Sequence, residues 1–504
     1  MNTISVSNIA QLIAAAARTN PGAAFGTFQQ HDSLERVLDR AHGIADGLRS
    51  AGLKRGDIAA VIGSNCAAYL VTFLAAQLLG VQTALINPAY PDEFLGDMLD
   101  DLMPGALIWI ARAPGSLAGR NLLQIDATGA WEGQVVTLQD RPANGAGSAA
   151  AVLPAGSGAD CTEADIAAYV HTSGTTGNPK FCALSHGYLL RLGRYFADTL
   201  SLSRHDVVVN PLPLFHINPI GNSVIGALTA SAAFLSAEKF SVAEFWPQVK
   251  QHRASVLVLH GPPASMLKTR TTREDARGHG VRIGFFCDPA FLAQFDIPIG
   301  VGGYGSTEAG GYCHSWTFRA GDQDLPPEGA MHLSGQPRPD LECRLEDDQI
   351  LVRGKHPQVL FSGYAKGGKI DPHLDAEGWF HTGDRGRFDR DGNLIFIERS
   401  SESIRVNAEY VPIDFVEERL RRAVSLKEFA LWRVDSASRG HEAVVYTTAP
   451  DADLDEVRRA VADLPRYMHP TQVICIETIP RDVGVGKVQR RLLGAQAVLH
   501  ATPL

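Results

Sequence analysis

Much that would place a new sequence at once is missing here. The seven cysteines (Cys66, Cys161, Cys182, Cys287, Cys313, Cys343 and Cys475) are odd in number, scattered through 504 residues and never spaced C-x-x-C. They supply no disulfide or zinc framework, and a reducing compartment is expected. No uninterrupted apolar run reaches the length of a membrane span, so no stable membrane insertion is expected. The opening MNTISVSNIAQLIAAAARTN lacks a basic leader and breaks at Arg18 and Asn20, which reads as an amphipathic helix, not a secretion signal. Positive charge is not in excess either: a net charge of −9 argues against nucleic acid or an anionic membrane as the main partner. A serine hydrolase is disfavoured because there is no G-x-S-x-G elbow, and a zincin because HEAVV at His441 lacks its second histidine. Internal repeats are absent. What is left, 45% hydrophobic and 20% charged, is a soluble chain expected in the cytoplasm and long enough for two or more domains.

The pattern along the chain is that of an α/β protein. SLERVLDRAHGIADGLRSAGL carries apolar residues at helical spacing and stops at Gly52; DIAAVIG reads as a buried strand, YLVTFLAAQLLG as a helix ending at Gly80, and VQTALIN as the next strand. Strand, helix and strand in close succession predict a parallel sheet covered by helices. Arg141 to Asp160, rich in Ala, Gly, Ser and Pro, is expected to be a surface connection. Further units follow in DVVVNPLPLFH, ASVLVLHG and PIGVGGYG. From Gln349 the texture turns to strands and turns, as in QILVRG, VLFSGY and GWFHTGD; after about Ser400 it becomes a compact mix of charged helix and strand.

HTSGTTGNPK, from His171 to Lys180, follows a predicted strand. Glycines let a turn present consecutive backbone N–H groups to phosphate oxygens; Thr172, Ser173, Thr175 and Thr176 add hydroxyl donors and Lys180 a point charge. Taken alone, such a stretch is also an ordinary polar loop. It is not the standard P-loop, because Asn178 and Pro179 separate the lysine from Gly177. GVGGYG, from Gly300 to Gly305, matches G-x-G-x-x-G, but no helix is predicted to open there.

TSGTTGNPK resembles the T-S-G-T-T-G-x-P-K signature of the adenylate-forming superfamily, which includes acyl-CoA synthetases, luciferases and peptide-synthetase adenylation domains. The family's Y-G-x-T-E is matched by Tyr304, Gly305, Thr307 and Glu308, its T-G-D by GWFHTGD ending at Asp384, and its following arginine by Arg399. LPLFHINP carries His216, and PRDVGVGKVQR, from Pro480 to Arg490, matches the C-terminal lysine motif at Lys487 with one extra residue before Gly486. These motifs stand in the family's order along nearly the whole chain.

The resemblance implies a large multi-subdomain N-terminal adenylate-forming domain, residues 1–399, and a small mobile α+β C-terminal domain, 402–504, hinged near Ser400 and Ser401. It implies ATP, Mg²⁺ and coenzyme A, with an acid activated to acyl-AMP before thioester formation. On this reading Thr172, Ser173, Gly174, Thr175, Thr176, Gly177 and Lys180 hold phosphates, Glu308 the metal ion, Tyr304 and Gly305 adenine, and Asp384 and Arg399 the ribose. Lys487 bridges carboxylate and phosphate, with Thr307, Glu308 and His216 at the reaction centre. The acid is expected beside His216, Asn218, Gly303, Ala309 and Gly310, with room provided by the glycines of Val301 to Tyr312. In the middle of the chain the resemblance is to ligases of the carnitine/crotonobetaine-CoA type.

Several positions depart from the pattern. Phe181 stands where relatives usually have glycine and is expected to pack beneath the loop. NAEY replaces G-G-E-N, so Asn407 and Ala408 narrow or reline the pantetheine path. In IGFFCDPAFLAQF, Asp288 is expected to be a turn residue rather than a substrate contact. A carrier-protein thiol as acceptor, or one half-reaction alone, remain alternatives. A purely nucleotide-binding protein is disfavoured by Lys487, Glu308 and Asp384.

Overall fold

In the computed structural model the described residues are 6–88, 92–110, 122–125, 158–172, 180–260, 262–320, 333–399, 404–406, 409–411, 413–423, 426, 428–436, 440–450, 452–464, 466–482, 486, 488–496 and 498–503. The chain divides into two compact units: residues 1–344, 351–382 and 390–394 form one, and 345–350, 383–389 and 395–504 the other. The expected hinge at Ser400 and Ser401, and most of the connection before Asp160, fall outside the described residues.

Local rules account for the first unit's elements. The helix Leu34–Ser50 starts where Ser33 Oγ accepts from the Arg36 N–H, and it buries Leu34, Val37, Ala41, Ile44, Ala45 and Leu48, one face at helical spacing. It ends before Gly52, which takes a φ of +95°. The helix Ala67–Leu79, apolar but for Thr72 and Gln77, is buried on every side and stops at the left-handed Gly80. Ile58–Ile62, Gln82–Ile86 and Ala106–Ile110, the strands around that helix, pair in parallel, and Gln82–Ile86 also pairs in parallel with Ile166–Thr172. Lys180–Ser185 then turns back antiparallel, followed by Gly363–Lys366 and Lys369–Asp371.

A second run of strands in this unit has a parallel centre: Ile299–Ser306, Ile283–Phe285, Val256–Val258, Val207–Val209, Ala233–Ser236 and Ala24–Thr27. Ile299–Ser306 continues antiparallel into Gly311–Arg319, so GVGGYG lies on a strand and opens no helix.

The second unit has its own sheet and core. Glu409–Val411, Ile404–Val406, Gly440–Thr447, Gln472–Ile476 and Val498–Pro503 lie side by side, with Phe429–Ser436 on Gly440–Thr447. Ile404, Val416, Leu420, Leu431, Val445, Val457 and Ile476 fill its interior. Glu417, buried there, accepts from Leu431 N–H at 2.8 Å and from Arg490 Nη2 at 2.9 Å, so the last residue of the lysine motif has a structural anchor.

Candidate active site

Thr172 and Lys180 are direct partners across an antiparallel ladder, so the strands entering and leaving the glycine-rich stretch are the two arms of one hairpin. Ser173, Gly174, Thr175, Thr176 and Gly177 lie outside the described residues. At the arms' ends the geometry is definite. Thr172 Oγ1 donates to Glu308 Oε1 at 3.2 Å, and Tyr364 OH donates to the same oxygen at 3.1 Å. Lys180 Nζ stands 5.2 Å from the centre of the Tyr364 ring. Two of the motifs that carry the resemblance, 136 positions apart, therefore meet at one carboxylate.

Glu308 sits on the turn between Ile299–Ser306 and Gly311–Arg319, and that turn is held from three sides. Tyr188 OH donates to the Thr307 carbonyl at 2.8 Å, the Phe361 N–H to the Glu308 carbonyl at 3.3 Å, and Arg338 Nη1 to the Gly310 carbonyl at 3.0 Å. Gly310 and Gly311 take φ of +93° and +77°, a backbone that side chains rarely adopt, and Ala309 is fully buried between Glu308 and them. Arg338 is itself buried and also donates to Asp340 at 2.6 Å and the Val359 carbonyl at 3.4 Å. Sequence reasoning missed Arg338, Tyr188 and Tyr364; a lone arginine or tyrosine carries no local signal of such a tertiary bond.

Beneath the hairpin the interior is aromatic and neutral. The His171 ring lies 5.7 Å from Phe215 and 5.8 Å from His216. Burial, reinforced by His216, lowers the His171 pKa to about 3, so its imidazole is uncharged at neutral pH. Phe181 is buried, lies near perpendicular to the His171 ring, and belongs to the core. Burial and the nearby Glu308 charge push the Cys182 thiol well above its ordinary pKa, so it stays protonated. Asn65, also missed, holds the segment before His216: its Oδ1 accepts from Leu214 N–H at 2.7 Å and its Nδ2 donates to Leu212 O at 2.9 Å.

Tyr304 is largely buried, its ring meeting His314 edge-on at 5.9 Å, and a register shift follows it at Gly305. The glycines of this strand correct one expectation. A Cβ on Gly302 would come 2.6 Å from Trp316 Nε1, and one on Gly303 2.1 Å from the His314 carbonyl. The neighbouring strand already fills the space beside these glycines, so at these positions they leave no room for an acyl group. Asp288 caps the helix Pro289–Phe295, accepting from Phe291 N–H at 2.7 Å, and pairs with Lys268 at 2.7 Å.

Other expected site residues fall in the second unit. Asp384 is buried on Phe380–Phe388, just after the left-handed Gly383, and Arg399 ends the strand Leu394–Arg399. Asn407, Ala408 and Lys487 lie outside the described residues. Around Lys487 the described ends of its stretch are paired: Arg481 bridges to Val488, and Gln489 N–H donates to Pro480 O at 2.8 Å.

Residues 13–365 match the family model described as AMP-binding enzyme. The chain belongs to that family. It is an adenylate-forming enzyme of the AMP-forming acyl-CoA ligase type, and similar proteins carry such names. "4-Coumarate--CoA ligase 3" of Oryza sativa subsp. japonica is 25% identical over 496 residues, covering 90% of this chain and 85% of that protein. A "Crotonobetaine/carnitine--CoA ligase" of Citrobacter koseri is 29% identical over 266 residues, 49% of this chain and 50% of the relative. Among solved structures, ATP-bound MatB from Rhodopseudomonas palustris shares the fold with a TM-score of 0.79 at 23% identity, over 96% of this chain and 98% of that one. The o-succinylbenzoate CoA synthetase MenE from Bacillus subtilis, in complex with an acyl-adenylate, gives 0.78 at 20%, over 96% and 97%. Among the described residues no helix is long and apolar enough to cross a membrane.

Proposed function

We propose that the enzyme activates an organic acid with ATP and passes the acyl group to coenzyme A. The acid's carboxylate oxygen attacks the α-phosphorus, the bond to pyrophosphate breaks, and acyl-AMP forms; the thiol sulfur then attacks the acyl carbon, and AMP leaves. Bringing a carboxylate to a polyphosphate sets two anions together, so the protein has to supply positive charge and fixed donors. Lys180 is of that kind, and the hydroxyl of Thr172 orients Glu308 beside it. The observation that carries the reading is the shared Glu308 oxygen, which joins the glycine-rich hairpin to the Thr307–Glu308 turn.

Among the described residues no group of three metal-ligating side chains is found. A single carboxylate suits Mg²⁺, which keeps water and phosphate oxygens as its remaining ligands. Glu308 would hold such an ion, whose charge would offset that of the phosphates. Tyr304 and Gly305 are assigned to adenine, Asp384 and Arg399 to the ribose, and Asn407 and Ala408 to the pantetheine path. Lys487 is assigned to the adenylation step, carried by the 402–504 domain and withdrawn before thiol attack. Acid-dependent exchange of labelled pyrophosphate into ATP, over a broad panel of acids, tests the first half-reaction. Exchange that needs both acid and Mg²⁺ is expected; well-folded protein giving none with any acid would sink adenylation.

A further inference from the structure

The backbone fixes how Asn210, on the segment leading to His216, is turned. Asn210 is fully buried, and its Oδ1 accepts from the Leu212 backbone N–H at 3.0 Å. A peptide N–H can only donate, so the other end of that amide is Nδ2 and must donate. It does so twice, to Asn218 Oδ1 at 3.0 Å and Ser223 Oγ at 2.9 Å. Those partners are five positions apart, the repeat of the π-helical segment Asn218–Val224, and the wide turn puts both on one side. Asn218 therefore faces Asn210 with its oxygen. Its Nδ2 has no hydrogen-bond partner among the described residues. The buried Asn222 Oδ1, on the same segment, also has none among them.

This segment lies next to the candidate reaction site. His216, two residues before Asn218, meets His171, which adjoins the Thr172 that bonds Glu308. On another side Leu192 links the segment to the Glu308 turn. A Cβ on Gly221 would come 2.7 Å from Leu192 Cδ2, and one on Gly311, at the start of the strand leaving that turn, 2.6 Å from the same atom.

On the ligase reading above, we infer that the acid carries a neutral oxygen, as a hydroxyl or carbonyl, on the chain beyond its carboxyl group. Asn218 Nδ2 donates to that oxygen, and Asn210 is the positioning residue that turns the donor toward it. A plain alkyl chain would cover these N–H groups without pairing them, which is costly. A second carboxylate is met best by a guanidinium or ammonium, and an amide carries no such charge.

The test is acid-dependent ATP–pyrophosphate exchange with saturated straight-chain acids and their oxo and hydroxy counterparts of equal length, read as ratios of kcat/KM. Wild type is expected to favour the oxygenated acid by roughly tenfold or more. Asn218→Leu should bring the ratio near one. Asn218→Asp keeps the shape and the bond from Asn210 but replaces the donors with an acceptor, so the ratio for the oxo acid should fall below one. A wild-type ratio of one across the panel, or a ratio unchanged by both substitutions, overturns the inference. Absence of exchange with every acid overturns the ligase reading itself, and the inference with it, and is seen before any ratio is measured.

Discussion

Replacing Tyr364 with phenylalanine removes a single hydroxyl from the junction of the two motifs. The ring stays where it is, 5.0 Å from Phe361, 5.2 Å from His373 and 5.2 Å from Lys180 Nζ, so packing and the cation–π contact survive. What goes is the 3.1 Å bond to Glu308 Oε1, leaving Thr172 Oγ1 as the other donor to that oxygen. A hydrogen bond to a charged acceptor contributes about 1.5–3 kcal/mol. Glu308 is only partly buried and water can replace the lost donor, which favours the lower end. About 1.5 kcal/mol corresponds to roughly a tenfold fall in kcat/KM for ATP in the exchange assay. The melting temperature should hold within about 2 °C, because the hydroxyl faces a partly wet site. Thr172→Val should cost a similar factor. Because both donors restrain one oxygen, the double variant should depart from the sum of the singles. Full activity in both single variants, or strictly additive losses, would refute the view that this oxygen's orientation matters for adenylation.

Arg338→Met should destabilise the protein by about 3 kcal/mol in denaturant titration, since it strands the Asp340 carboxylate and two buried carbonyls, and should lower exchange by loosening the Glu308 turn. Adding Asp340→Leu should restore part of the stability but not the activity. Burial raises the pKa of Asp206, yet bonds from Arg282, Ser255 and Ser203 outweigh it and hold the carboxyl below its ordinary 3.8. A depressed carboxyl stabilises the fold above its unfolded value and loses that contribution as pH falls through the folded one. Asp206→Asn should therefore be less stable than wild type at pH 7, with the gap closing below pH 3.8, read from denaturant midpoints across that range. Lys487→Ala should slow adenylation by roughly 10²–10³-fold while supplied acyl-AMP is still converted to thioester; equal losses in both steps would contradict the assignment of Lys487 to one of them.

What could be read from the sequence was what local chemistry writes into it. Gly52 and Gly80 mark helix ends by backbone rules, and YLVTFLAAQLLG carries the helix found at Ala67–Leu79. Phe181 and Asp288 took the structural roles that their neighbours suggest, a core ring and a helix cap. Gly302 and Gly303 were misread, because a glycine that makes room looks the same as one whose room is taken by rings and backbone on another strand. The residues that hold the site together act over long separations: Asn65 on Leu214 across 149 positions, Tyr188 on Thr307 across 119 and Tyr364 on Glu308 across 56. Such bonds leave no periodicity or spacing behind, so only the fold reveals them.

The central claim is that the acid's own carboxylate attacks the α-phosphorus of ATP, and oxygen labelling tests it most directly. With an acid labelled with ¹⁸O in its carboxyl group, ATP, Mg²⁺ and coenzyme A, one labelled oxygen should appear in each AMP released, alongside unlabelled pyrophosphate. Label in phosphate or pyrophosphate, or AMP released without it, would contradict attack at that phosphorus.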